Sequence, residues 1–493
     1  MHHALIFSIK QTYAARNNGA HRIATFLRSH GWDVEVVDYA ESWPIELLKE
    51  FVRQRVTKHT VFFGFSSFFN AWPSDFNKFT AFLKKQYPFV KTIIGGQSVA
   101  KTPAENIEYW IDSFGEMAIL ELVKSFVGNS APIKYDLQHL GSKKLIRANI
   151  SYPSFPMDSY QVIMEKRDYL QPYEWLGTEF SRGCKFSCDF CNFPILGVKG
   201  DYSRTQEDFE YEMRYNFDNF GIKNYYVADE TFNDRTEKIQ KFADVTDQLK
   251  FKPFFSGFIR ADLLISKPES WEHLARLNFG GQYYGIESFN HASAKLVGKG
   301  MHPDRLKAGL LSVKEYFDKE IFYRGNISLI VGLPHETKDT WSETQKWLGA
   351  NWLDQAITIY PLDVEDSEFE NSNTNTSKFG KSPERGGFRK IPDHIVKDKI
   401  KNYKRVIESK MSENVLYWEH DTMDFFEARI IAHNAQQLCR QGKLGVFSLG
   451  NPALNRQTVI NDLDQIKNLP QTLWNDQLDI KTHIMSYISK KLN

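Results

Sequence analysis

Ser181-Arg182-Gly183-Cys184-Lys185-Phe186-Ser187-Cys188-Asp189-Phe190-Cys191 holds three of the chain's four cysteines. A disulfide scaffold spreads its cysteines along a chain, so this clustering points to metal-ligand chemistry in a reducing compartment. The stretch follows a predicted strand, Thr178–Ser181, and so lies where a parallel barrel keeps its active site. Structural zinc closes with four protein ligands, and the nearest histidines in sequence, His139 and His273, are both distant. Three thiolates suit a 4Fe–4S cluster with one iron left open to a substrate or cofactor. Zinc completed by a fourth ligand from elsewhere in the fold, or three merely buried cysteines, are the alternatives. Cys439 stands alone in a helical pattern and reads as packing.

Downstream, strand candidates recur at Asn224–Ala228, Phe254–Arg260, Tyr283–Ile286, Asn326–Val331 and Ala356–Ile359, separated by helical patterns. With Thr178–Ser181 they make six βα units, a partial barrel. Upstream, Ala4–Ile9, Val34–Val37, Val61–Phe65 and Thr92–Ile94 alternate with helical patterns over Gly19–His30, Phe76–Leu83 and Glu116–Val127. That alternation predicts a doubly wound parallel sheet. The expected organisation is α/β: a Rossmann-like domain over 1–130, a connector over 131–175, a (β/α)6 barrel over 176–364, a polar linker over 365–388 and a mostly helical region over 389–493.

The C-x3-C-x2-C spacing with an aromatic residue, Phe190, before the third cysteine resembles the signature of radical S-adenosylmethionine (SAM) enzymes. Ser181-Arg182-Gly183-Cys184 is similar to the branch that carries an N-terminal cobalamin-binding domain. The resemblance continues in order through Val227–Asp234, Phe258–Asp262, Gly285–Ser288 with Leu296–Gly300, and Ile330–Thr337. It implies that Cys184, Cys188 and Cys191 hold the cluster. It implies SAM contacts from Phe190, Asp229, Glu230, Arg260, Glu287, Ser288, Gly332 and Pro334. Chemically, a carboxylate at a strand tip accepts from the SAM ammonium, a guanidinium pairs with its carboxylate, and an acidic residue accepts from its ribose. Glu336-Thr337 opens a helix and reads as capping. The family's Pro-Gly-Thr loop after the sixth strand is here Tyr360-Pro361-Leu362-Asp363-Val364, which keeps only the Pro.

The N-terminal domain resembles cobalamin-binding domains at Gly64–Phe68, Ile94–Gln97 and Phe114–Glu116. Gly19, Ser66, Ser67, Gly95 and Gly96 are the residues implied for cobalamin. The family's Asp-x-His-x-x-Gly segment corresponds to Ala14–Gly19, which keeps only the Gly. The expectation is therefore cobalamin with no protein imidazole on cobalt, and His21, at the head of an amphipathic helix, reads as a surface residue. The resemblance implies a methyltransferase acting on an unactivated carbon through a 5′-deoxyadenosyl radical. The alternatives are non-methylating radical SAM chemistry with a degenerate N-terminal domain, and a non-catalytic metal-binding protein. No residue is assigned to acid–base catalysis.

The 493 residues carry a formal net charge of +1, which argues against bulk nucleic-acid binding. No apolar run approaches the roughly 18–20 residues that span a bilayer, and MHHALIFSIKQ reads as a first strand rather than a signal peptide. The expected partners are a small-molecule or peptide substrate and an electron donor such as flavodoxin or ferredoxin, with no membrane; the expected location is the cytoplasm. Phe alone counts 38, enough to fill a core or to line a roomy pocket.

Overall fold

The computed structural model describes residues 2–9, 15–67, 72–97, 99–128, 137–141, 143–147, 157, 160–191, 193, 202–364, 377–407, 416–448, 481–482 and 484–486. The first eight strands are β1 (His3–Ser8), β2 (Ala15–Arg16), β3 (Asp33–Val37), β4 (Thr60–Ser66), β5 (Lys91–Gly96), β6 (Tyr109–Asp112), β7 (Leu137–Leu140) and β8 (Lys143–Arg147). Seven of them form one sheet, in the order β3-β1-β4-β5-β6-β8-β7. Only the β7–β8 pairing is antiparallel. Side chains alternate between two buried faces, as strand geometry requires. Ala4, Ile6, Val34 and Val36 pack toward helices Asn18–Ser29 and Glu116–Phe126. Leu5, Phe7, Phe63 and Phe65 pack toward helices Ile45–Arg55 and Phe76–Gln86. The strand order reverses between β1 and β4, and the crevice there is where such sheets take ligands. The sheet continues past residue 130, because β7 and β8 join it from the expected connector.

The second sheet contains β9 (Trp175–Thr178), β10 (Asn224–Val227), β11 (Phe254–Ile259), β12 (Gly281–Glu287), β13 (Arg324–Val331) and β14 (Ala356–Pro361). All of its pairings are parallel, and the six strands lie in sequence order. Both ends are extended by strands from outside the expected barrel. β2 pairs with β9 through Ala15–Trp175 and Arg16–Leu176. Beyond β15 (Arg389–Lys390), β16 (Trp418–His420) and β17 (Met423–Asp424), the strand β18 (Val446–Phe447) pairs with β14. Phenylalanine does both jobs anticipated for it. Phe180 packs against Phe209, Phe232, Phe242 and Phe255 in the barrel core, while Phe65, Phe114, Phe193 and Phe258 line a cavity.

The C-terminal region carries helices Asp393–Ile407 and Phe425–Arg440. It also carries a small antiparallel sheet, β15-β16-β17, that its helical pattern did not announce. Cys439 is buried there, as packing. Within the expected linker, residues 377–388 are described and pack down: Phe379 and Phe388 are buried in the barrel's core. Pro153 and Pro156, which punctuate the expected connector, lie outside the described residues, as do residues 487–493 at the end of the expected helical region. Among the described residues, no helix is long and apolar enough to cross a membrane.

Candidate active site

Every residue that leads into Cys184 has a structural task. Phe180 donates its backbone N–H to Asp229 Oδ1 at 2.7 Å, and Ser181 Oγ donates to Asp229 Oδ2 at 2.6 Å. Lys238 Nζ donates to Ser181 Oγ at 2.9 Å. Arg182 bridges to the N-terminal domain: Nη2 donates to Glu116 Oε1 at 2.6 Å, while Nε donates to the nearby Glu179 Oε2 at 2.5 Å. Arg22 joins the same Glu116 oxygen at 3.3 Å. Burial works against the Glu116 carboxylate, but Arg182 and Arg22 overcome it and hold it at about 2. Gly183 then turns the chain at a φ of 95°, a conformation that glycine adopts without steric cost.

Cys184, Cys188 and Cys191 are all free thiols. Thr231 Oγ1 lies 3.3 Å from Cys184 Sγ, and Arg260 Nη1 reaches Cys188 Sγ at 3.8 Å. Burial pushes the Cys191 thiol up to about 11, and the neighbouring Cys188 and Cys184 add to that effect. A bound metal would supply the positive charge that keeps it a thiolate. Among the described residues, no group of three His, Cys, Asp or Glu side chains is compact enough for one metal ion. Three thiols on one loop are the donor set of a 4Fe–4S cluster that keeps one iron open.

The other expected residues fall into two groups around this loop. Asp229 is 1% exposed and gives its oxygens to the loop, so it positions Ser181 and the start of the turn. Burial raises its carboxyl to about 6. Glu230 lies beside it, and burial followed by the Asp229 charge pushes its carboxyl upward. Arg260 spends Nε on Asp262 at 2.8 Å and Nη2 on the Gly298 carbonyl at 2.9 Å, while its guanidinium stacks 3.6 Å over the Phe186 ring. Phe190 packs against the barrel core.

The second group gathers at the ends of β12 and β13. Glu287 is buried with a φ of 67° at an irregularity in the β12–β13 register. Lys299 Nζ lies 3.4 Å from its Oε1 and donates to the Gly285 carbonyl at 2.6 Å. Ser288 Oγ donates to Glu336 Oε1 at 2.7 Å, and Gly332 N–H donates to Glu336 Oε2 at 3.1 Å. Glu336 therefore ties two strand ends together, and the helix is capped by Thr337 with Thr340. Pro334 is buried, and its carbonyl accepts from Ser293 Oγ at 2.7 Å. At Gly332 a Cβ would meet Trp418 at 2.6 Å, so the C-terminal region seals this strand end.

Gly19, Ser66, Ser67, Gly95 and Gly96 line one cavity of about 390 Å³, which Asn17, Ser113, Glu116, Ser181, Arg182, Asp229 and Glu230 also line. It joins the first sheet's crevice to the cysteine loop. At Gly96, with a φ of 151°, a Cβ would stand 2.1 Å from the Ser67 carbonyl oxygen. Arg16 is the residue that the sequence reading aligns with the family's histidine. Its guanidinium points into the protein, to Asp38 at 2.6 Å and Glu174 at 2.7 Å. His21 is a correction to the sequence reading: it is fully buried, with Nε2 3.0 Å from Asp38 Oδ1, rather than on the surface.

The chain matches the radical SAM superfamily over residues 178–348. Those residues belong to the radical SAM superfamily. The radical SAM domain begins at the last residue of β9 and takes in the cysteine loop and both groups of expected SAM residues. No curated protein matches the chain. Among solved structures, the cobalamin-dependent S-adenosylmethionine radical enzyme OxsB, with aqua-cobalamin and S-adenosylmethionine bound, superposes with a TM-score of 0.61 at 12% identity, over 100% of this chain and 72% of that one. OxsB with aqua-cobalamin alone gives 0.59 at 13%, again over 100% and 72%. The apo form of OxsB gives 0.55 at 15%, over 100% and 71%. The chain thus carries a radical SAM domain over residues 178–348, and along its whole length it shares a fold with 72% of OxsB.

Arg182, Glu116, Asn17, Thr231 and Glu336 are the site residues that sequence reasoning did not assign. Arg182, Glu116 and Glu336 stood inside quoted motifs, but their partners lie far away or on other strands. Asn17 stood in the segment aligned with the missing histidine.

Proposed function

We propose that the chain is a cobalamin-dependent radical SAM methyltransferase acting on an unactivated carbon of a small-molecule or peptide substrate. The supporting observation is the single cavity that carries all five residues expected for cobalamin and also reaches Asp229 and Glu230 beside the cysteine loop. Its donor chemistry fits a corrinoid: Asn17 Nδ2, Ser113 Oγ and Arg182 Nη1 are buried on its wall without a partner among the described residues. When bound, a reduced 4Fe–4S cluster with SAM supplies a 5′-deoxyadenosyl radical, and cobalamin supplies a transferable methyl group.

Within that chemistry the chain's own residues bind, orient and exclude water. Cys184, Cys188 and Cys191 would hold the cluster, with Thr231 and Arg260 as hydrogen-bond partners of two of the sulfurs. Glu230 would accept from the SAM ammonium, since Asp229 already serves the loop. Glu287 and Ser288 would line the ribose side, with Gly332 and Pro334 near the adenine. Trp418 and Phe388 close the barrel at that end and keep water out. Arg16, which the sequence reading aligns with the family's histidine, faces Asp38 and Glu174 and would offer a bound cobalamin no imidazole. An electron donor such as flavodoxin or ferredoxin would reduce the cluster.

Anaerobic reconstitution with iron, sulfide and hydroxocobalamin tests the proposal. The expected result is retained cobalamin together with reductive release of 5′-deoxyadenosine from SAM. Release of 5′-deoxyadenosine by a protein that retains no cobalamin would move the assignment to non-methylating radical chemistry.

A further inference from the structure

Resting on that reading of the cavity, we propose that Arg182 and Asn17 grip the corrinoid by the carbonyl oxygens of its peripheral carboxamides, so that the cluster loop itself is part of the cobalamin site. Arg182 is only 3% exposed. Two of its three nitrogens are committed to Glu116 and Glu179, and the third, Nη1, has no hydrogen-bond partner among the described residues and belongs to a residue of the cavity wall. Asn17 is fixed by capping: its Oδ1 accepts from Ala20 N–H at 3.4 Å. That assigns the amide orientation and leaves Nδ2 buried on the same wall without a partner among the described residues. Both orphans are obligate donors, so their complement is an acceptor. A buried donor left unmade is costly, which gives each a large stake in the ligand.

The charge of the wall decides which acceptor. Its arginines are Arg16, Arg22 and Arg182, against the carboxylates Glu116, Glu179, Asp229 and Glu230. Arg16 pairs with Asp38 and Glu174, and Arg22 and Arg182 both pair with Glu116. Among the described residues no surplus cation faces the cavity, so a phosphodiester would be desolvated there without compensation from them. A neutral carboxamide carbonyl meets the donors without that cost. The consequence is a direct link between cofactors: Arg182 stands two residues before Cys184 and would carry the corrinoid's position to the cluster loop.

Arg182→Lys keeps the charge but removes Nη1. Asn17→Asp keeps the cap oxygen and the shape but puts an acceptor where the donor was. Each full-length variant, with its fold checked by circular dichroism and melting temperature, is titrated spectrophotometrically with hydroxocobalamin and with dicyanocobinamide, which lacks the nucleotide and its phosphodiester. The expected result is a loss of about tenfold or more for both corrinoids in both variants. A loss confined to hydroxocobalamin would reassign the donors to the phosphodiester and overturn the proposal. So would unchanged affinity in folded variants, which would mean that water satisfies the donors. If the wild-type protein binds neither corrinoid, the proposed function fails and this inference falls with it. If Arg182→Lys does not fold, Asn17→Asp decides alone.

Discussion

Glu287 combines burial, a left-handed backbone and a lysine that is shared with a carbonyl. Strain of that kind persists where the surroundings hold it, and it gathers at functional sites. Glu287→Gln is expected to weaken SAM binding by roughly tenfold to a hundredfold with little change in melting temperature; anaerobic calorimetry reads the first and thermal unfolding the second. Substituting Cys184, Cys188 or Cys191 with Ala should abolish iron and sulfide retention, while Cys439→Ala should keep both. Glu336 gives a pH dependence. Burial raises its carboxyl to about 7 from an ordinary 4.5, against hydrogen bonds from Ser288 and Gly332 that pull it down. Below pH 4.5 it is protonated in both folded and unfolded chains. Between 4.5 and 7 the unfolded chain ionises first, so folding stability falls as pH rises and then levels off. Glu336→Gln keeps an acceptor for Ser288 and has no charge to lose. Relative to wild type, its melting temperature should therefore rise between pH 4.5 and 7, and parallel curves would remove Glu336 as the source. The cysteines were legible because a metal centre needs them close in sequence. Glu336 and His21 were misplaced because their partners, Ser288 and Asp38, lie 48 and 17 residues away.

At the scale of elements, the barrel strands were legible from apolar runs between polar turns. The first was expected at Thr178–Ser181 but pairs over Trp175–Thr178, because Phe180 and Ser181 bond the Asp229 side chain instead of a neighbouring strand. β2 could not be read at all: two residues carry no period, and its partner β9 lies far along the chain. The segment 377–388 read as linker by composition. Yet Lys378 Nζ bonds Asp189 Oδ1 at 2.8 Å and Phe379 N–H bonds the Asp189 carbonyl at 3.2 Å, so it fastens the cysteine loop from outside. The end of β5 offers a paired test. A Cβ at Gly95 meets only the Ile111 carbonyl oxygen at 3.7 Å, whereas at Gly96 it strikes Ser67 backbone. Gly95→Val should therefore fold and fail to retain cobalamin, while Gly96→Ala should lose stability. Equal behaviour of the two in thermal unfolding and in cobalamin retention would detach the cavity from the proposed cofactor.

Across the whole molecule, the regions are interlocked. Arg16 ties Asp38, just past β3 of the first sheet, to Glu174 at the entry of the second. Far along the chain, Lys481 Nζ reaches Glu35 at 3.1 Å, and Ile484 and Met485 are buried in the first domain's core. Arg16→Leu would leave Glu174 and Asp38 short of their buried cation, and should cost about 3–5 kcal/mol in urea-induced unfolding. That unfolding should remain one transition rather than two. The borrowed strand β2 has a further consequence, for ancestry and for engineering. An N-terminal domain that lends a strand to the barrel's rim cannot be exchanged as a cassette. Splicing the first 147 residues of a relative onto this barrel would strip β9 of its neighbour and leave an open edge to recruit other chains, unless the graft brought its own matching rim strand. Lineages sharing this arrangement should therefore have inherited both halves together, and chimaeras should succeed only when cut elsewhere.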